Sequence, residues 1–194
     1  SQDVINQKDV ASFGGNIGAT NHYLELTSPF EILTTDFTIF TAHRQKSTQS
    51  VLGYILGFSD GSGNGGLHSA GTFQNYNNIG LAYSPSNREM RVAGNGSFDW
   101  NIHTLKHNQI FKNSIEASNY INALPITFFK FSAIGARTDL TTLNFHGDLA
   151  EVIVYNTSLP DAERVTVENY LMTKYTAYPD LGKDIDTCTA EVSL

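Results

Sequence analysis

A chain of 194 residues with 12 Lys+Arg against 19 Asp+Glu carries a formal net charge of −7. Its basic residues are scattered, which argues against a surface built to track nucleic-acid phosphates, and no run of about 18 apolar residues marks a membrane span. The single cysteine, Cys188, excludes an intrachain disulfide and a two-cysteine zinc site, while 40% hydrophobic and 16% charged residues with 12 Phe, 9 Tyr and 16 Gly suit aromatic-faced strands joined by glycine turns.

In chain order, Val10–Phe13 and His22–Leu26 read as two strands flanking the turn-rich segment 14–18. The N-terminal Ser-Gln-Asp-Val lacks the basic and apolar regions of a signal peptide, so a chain beginning at Ser1 reads as a processed product or an excised domain with neighbours. Asp36–Arg44 alternates, with Phe37, Ile39 and Thr41 on one side and Thr38, Phe40 and Ala42 on the other. Val51–Phe58 is apolar on both faces, as expected of an interior strand. Asp60–Gly66 and Gln74–Asn78 read as loops, the second leading into a strand at Ile79–Tyr83. Ser84–Asn87 is a turn, Arg88–Ala93 a strand and Gly94–Gly96 another turn. A hairpin is expected between Trp100 and Ala117, its turn at either Asn108-Gln109 or Asn113-Ser114, because Asn tolerates positive φ. Phe128–Ala133 and Thr142–Phe145 are further strand candidates.

The strongest local signal lies near the C-terminus. Leu149–Tyr155 is a strand apolar on both faces, interrupted by Glu151, whose carboxylate must find a basic or backbone N–H partner if it is buried. Ser158-Leu159-Pro160-Asp161 then reads as a helix start, with Ser158 as N-cap and Pro160 in the first turn. Val167, Tyr170, Leu171 and Lys174 or Tyr175 fall at helical spacing, giving a helix over about 160–175 and an irregular tail over 176–194.

The stretch GDLAEVIVYNTSLPDAERVTVENYLMTKY resembles the ending of laminin-G-like, concanavalin-type lectin–glucanase jelly-roll domains. Ser12-Phe13-Gly14-Gly15, His22–Leu26, Asp36–Phe40 and Ile134–Arg137 fit the same pattern more loosely, so the resemblance covers about 9–175. It implies an all-β, two-sheet antiparallel sandwich with one C-terminal helix, filling the chain as a single domain, with rim loops that present a site for a glycan or a protein. Ser114 departs from the pattern, where such domains often carry an Asn-Gly turn. A shared fold does not fix a shared chemistry.

Glucanases of this fold need two carboxylates about 5 Å apart on one sheet face, typically as Glu-x-Asp-x-x-Glu. That triplet is absent, and Asp148 and Glu151, three apart on a regular strand, are expected to point to opposite faces. Asp60, Ser62 and Asn64 place oxygens at alternating positions like the first half of a calcium loop, making calcium the one cofactor the sequence admits, joined by distant acids such as Asp99 or Asp139. Gly71 stands where the closing acid belongs, so a plain glycine-rich loop is the favoured reading. His103 and His107 share a strand face but make only a two-ligand site, and ordinary strand histidines are favoured. No Gly-x-Ser-x-Gly elbow is present. The acceptor patterns at Asn95 and Asn156 matter only in a eukaryotic secretory setting.

Sugar C–H faces stack on rings, and sugar hydroxyls need amides and carboxylates. Two groups have that chemistry: Asn75, Tyr76, Asn77 and Asn78, and Asp99, Trp100 and Asn101. Each has a plainer reading, the first as a turn and Trp100 as core. The expectation is a non-catalytic carbohydrate-binding or adhesion module at an extracellular, cell or virion surface. Its ligand is a glycan or surface protein, with neighbouring domains or an oligomer around it and no nucleic-acid or membrane partner. A structural or protein-interaction domain comes second and a glycan-degrading enzyme third.

Overall fold

The computed structural model describes residues 2–5, 8–14, 22–32, 36–46, 52–59, 64–70, 79–83, 88–92, 99–106, 109–117, 129–136 and 144–176. The described strands are β1 (Gln2–Ile5), β2 (Lys8–Gly14), β3 (Leu24–Ile32), β4 (Thr38–Gln45), β5 (Leu52–Ser59), β6 (Asn64–Ala70), β7 (Ile79–Tyr83) and β8 (Arg88–Val92), then β9 (Asn101–Lys106), β10 (Gln109–Lys112), β11 (Ile115–Glu116), β12 (Phe129–Ile134) and β13 (His146–Tyr155). A helix, α1 (Asp161–Leu171), follows and widens into a π-helical turn at Met172–Thr176. The strands form a seven-stranded sheet in the order β1-β2-β13-β4-β9-β10-β11 and a six-stranded sheet in the order β3-β12-β5-β6-β7-β8. Every neighbouring pair is antiparallel. The chain is an antiparallel jelly-roll sandwich with one C-terminal helix.

Alternation along β4 distributes its side chains to two cores. Phe37 and Ile39 join Leu105, Phe131, Phe145 and Leu149 between the sheets. Phe40 and Ala42 face the other way, with Ile102, Leu159, Leu171 and Tyr175 beneath the helix. β5 lies between β12 and β6, an interior position that accounts for its unbroken apolar run. Of the two candidate turns between Trp100 and Ala117, Asn113-Ser114 is found, whereas Gln109 of the other opens β10 and pairs with Lys106. β9 pairs with β10 across 107–108, and Asn113 (φ 48°) and Ser114 (φ 68°) turn β10 into β11. Ser114 thus occupies a left-handed position that Asn-Gly turns give to glycine. Asn113 compensates, its Oδ1 accepting from Ile102 N at 2.9 Å and its Nδ2 donating to Asn101 Oδ1 at 3.0 Å.

Three expectations need correcting. Asn64–Gly66 opens β6 and is not loop, since the segment pairs with Gly57–Ser59 of β5. Of the expected strand over Thr142–Phe145, Phe145 is not in a strand and Asn144 makes an isolated bridge to Tyr54, while 142–143 lie outside the described residues. The helix starts at Asp161 with Pro160 at its cap, and no side chain caps it. Thr38 takes over Ser158's expected role: its hydroxyl donates to Thr157 O at 2.9 Å and accepts from Leu159 N at 3.0 Å, pinning the turn before the helix to β4.

The buried face of the helix also departs from a simple apolar stripe. Arg164, Glu168, Leu171 and Tyr175 face the sheet, whereas Tyr170, expected on that stripe, is exposed. Glu168 accepts from Thr104 Oγ1 and from Arg164 Nη1, each at 2.6 Å, and the Arg164 guanidinium lies 3.7 Å from the Phe111 ring centre. Both charges are removed from water, so each is tolerable only with the other in place. Lys106 draws Asp161 to the sheet at 2.8 Å, and that bond is the first cause holding the Asp161 carboxyl below its ordinary range.

Between the sheets, the inner face of the larger one turns polar toward one end. His43 and His103 are 3% and 1% exposed, with ring centres 4.8 Å apart. His43 Nδ1 shares a hydrogen bond with Thr41 Oγ1 at 3.1 Å, and Phe145 meets its ring edge-on. Burial pushes the His43 imidazole down from 6.5 to about 3, with Lys112 adding to the effect.

Two tests follow from this packing. Glu168→Ala strands a buried guanidinium and is expected to cost about 3–5 kcal/mol in urea unfolding, against less than about 0.5 kcal/mol for exposed Glu163→Ala. As pH falls below 6.5 the unfolded state protonates His43 while the folded state does not until about 3, so its contribution is present at neutral pH and lost through that window. His43→Gln should therefore flatten the loss between pH 7.5 and 4.5 by about 2–3 kcal/mol; parallel pH profiles for the two proteins would refute the assignment.

Candidate functional site

The site grows from an irregularity in β13. Leu149 pairs with His43 and Glu151 with Ala42, so an extra residue, Ala150, is inserted against β4. Such a bulge shifts the alternation by one. Asp148 and Glu151 therefore face the same side, the outer face of the seven-stranded sheet, and the expectation that they point apart is corrected. Val152 and Val154 still reach the inter-sheet core.

Each carboxylate on that face carries its own cations. Asp148 is fully buried; Arg44 Nε donates to its Oδ2 at 2.8 Å and Lys46 Nζ sits 2.8 Å from its Oδ1, while Lys46 also donates to Ser12 Oγ. Glu151 has the basic partner expected of it. Its Oε2 accepts from Lys174 Nζ at 2.8 Å and from the Tyr175 hydroxyl at 2.7 Å, both residues coming from the π-helical turn. The Lys174 ammonium is raised above its ordinary value, first by the bond to Glu151 and then by those to Tyr170 and Tyr175. Tyr175 is raised by burial and then by Glu151, and His146 is lowered by burial and by Lys46.

Trp100 sits at the centre of these pairs. It is half-buried, its ring lying roughly parallel to Tyr175 at 6.4 Å, and the Arg44 guanidinium carbon is 5.3 Å from its centre. The Arg44 side chain is 37% exposed and that of Lys46 31%, and Asp99 is exposed. The surface thus combines one indole with two basic groups held by a buried acid. Such a surface can stack an apolar face and hydrogen-bond its rim.

Asn101 is not part of that surface. It is 4% exposed and faces between the sheets, its Nδ2 bonded to Asp99 O at 2.7 Å and its Oδ1 to Asn113. Asn75, Tyr76, Asn77 and Asn78 lie outside the described residues, as do Asp60, Ser62, His107, Asp139 and Cys188. Asn64 is placed in β6, but its side chain lies outside the description. His103 packs against His43 of the neighbouring strand. Among the described residues no group of three or more His, Cys, Asp or Glu could hold a metal ion, and no helix is long and apolar enough to cross a membrane. Sequence reading missed Arg44, Lys46 and Tyr175 as companions of Trp100. Alternation along β4 held the signal, since Arg44 and Lys46 continue the face of Phe40 and Ala42.

No protein-family model matches the chain, and no curated protein matches it in sequence. Solved structures do share its fold. A native heptameric SAP-like pentraxin from Limulus polyphemus has a TM-score of 0.56 at 14% identity, over 81% of this chain and 80% of that one. The Ruminococcus gnavus IT-sialidase CBM40, solved bound to alpha2,3-sialyllactose, has a TM-score of 0.53 at 13% identity, over 76% and 97%. The botulinum neurotoxin serotype G binding domain has a TM-score of 0.61 at 10% identity over 88% of this chain, which spans only 44% of that domain. At these identities the likeness is one of fold.

Proposed function

We propose that the chain is a single-domain, non-catalytic carbohydrate-binding module of laminin-G-like, concanavalin-type build. We place it in a larger extracellular, cell-surface or virion-surface protein. The observation that carries the reading is the half-buried Trp100 beside Arg44, which shares the buried Asp148 with Lys46, because stacking and directional hydrogen bonding are what a sugar requires. The glycan-bound CBM40 and the toxin binding domain, which share this fold, support a binding role. Asp148 and Glu151 share a face, as a hydrolase needs, but both are held by cations, and Asp148 is sealed from solvent. Neither is free to serve as a proton donor or nucleophile.

A protein-interaction role is favoured by one feature, the edge strand β3 with Leu24 and Phe30 exposed. Pro29 and the register break opposite Ser132 blunt that edge, which makes it a poor template for another strand. The glycan reading is therefore preferred.

On a broad glycan array, with and without calcium, the protein is expected to bind a defined set of glycans. Trp100→Ala should weaken that binding about tenfold or more, the loss expected from removing roughly 1.4 kcal/mol of contact, while leaving the circular dichroism of the sandwich intact. Binding to no glycan, or unchanged binding by the variant, would overturn this assignment.

A further inference from the structure

We infer that the ligand is an oligosaccharide, one sugar of which rests on Trp100 while another rests on the ring of Tyr170 at the end of the helix. The inference rests on the glycan-binding reading above and narrows it from a sugar to a chain of two or more sugars.

Tyr170 is the next-to-last residue of α1 and is 51% exposed. Single exposed apolar residues are ordinary at a protein surface. Leu24 and Phe30 on the edge strand β3 and Ile115 on the edge strand β11 are of that kind. What separates Tyr170 from them is its connection to Trp100. Lys174 Nζ donates to the Tyr170 hydroxyl at 2.7 Å and to Glu151 Oε2 at 2.8 Å, and its nitrogen lies 5.0 Å from the centre of both the Tyr170 and the Tyr175 rings. Tyr175 donates its own hydroxyl to the same Glu151 oxygen at 2.7 Å and lies roughly parallel to Trp100 at 6.4 Å. One carboxylate therefore ties together the helix end and the ring that supports Trp100.

Tyr175 is buried, so it carries this link without offering a face to a ligand. The faces that remain are those of half-buried Trp100 at one end of the path and exposed Tyr170 at the other. One aromatic ring takes the C–H face of one sugar, so two open rings joined through a buried third select two sugar residues. Tyr170 is also tethered at its polar tip by Lys174, so its ring loses little further freedom when a sugar stacks on it.

The test titrates the Trp100 indole N–H signal in NMR with the tightest-binding glycan of the array and with the methyl glycosides of its component sugars. The intact glycan should bind about tenfold or more tighter than any of the methyl glycosides. Tyr170→Ala should weaken the intact glycan about three- to tenfold and leave the methyl glycosides unchanged. Tyr170→Phe, which keeps the ring and loses the bond to Lys174, should keep most of the affinity. An array whose tightest ligand is a single sugar, an intact glycan unaffected by Tyr170→Ala, an equal loss on the methyl glycosides, or a loss in Tyr170→Phe as large as in Tyr170→Ala would overturn the inference and leave the glycan-binding reading standing. A blank array would overturn both.

Discussion

A carboxylate set into an interior β-strand must be met by a cation, and β13 carries two such carboxylates on one face. The bulge at Ala150 creates that arrangement. Without it Glu151 would point into the inter-sheet core, where no ionised group is tolerated unpaired. With it, Asp148 recruits Arg44 and Lys46 from the neighbouring strand, and Glu151 recruits Lys174 and Tyr175 from the end of the helix. The same local fault therefore orders the basic groups beside Trp100 and anchors the last turn of the helix above them.

The helix is held at both ends by charge as well as by apolar contact. Asp161 meets Lys106 at its start, Arg164 and Glu168 close over Thr104 and Phe111 in its middle, and the Glu151 pair fixes its end. Leu159, Leu171 and Tyr175 supply the apolar contact with Phe40, Ala42 and Ile102. Beyond the helix end the same face carries Ser12, Lys46, Arg44 and Trp100. The inner face of the same sheet differs, carrying the Phe13–Phe145 contact and the buried His43–His103 pair.

The sandwich and its helix were legible in the sequence because they rest on local periodicity. Residues 36–44 alternate as β4 does, 149–155 are apolar on both faces because helix and opposite sheet cover them, and a helix follows them as expected. What was not legible depends on contacts between distant residues. The bulge at Ala150 leaves no mark in a small residue, so Asp148 and Glu151 were assigned to opposite faces. Arg164 and Glu168 look like solvent-facing charges until Thr104 and Phe111 are brought beneath them. Ser158 has a capping residue's chemistry, yet Thr38, more than a hundred positions earlier, makes the bonds at the helix entrance. Of the candidate surface, Trp100 stood out by residue type alone. Its companion Asn101 was drawn inward by alternation, and Arg44 became a partner only through strand pairing.

The central claim is that ligands meet the outer face of the seven-stranded sheet beside the helix end. Solution NMR of the labelled protein, titrated with the tightest-binding array glycan, tests it most directly. The account predicts that the Trp100 indole N–H and Arg44 Nε–H signals shift and saturate together, while the amides of β3, β5 and β12 in the six-stranded sheet stay in place. Saturable shifts confined to that other sheet, with the Trp100 and Arg44 signals unmoved, would contradict it.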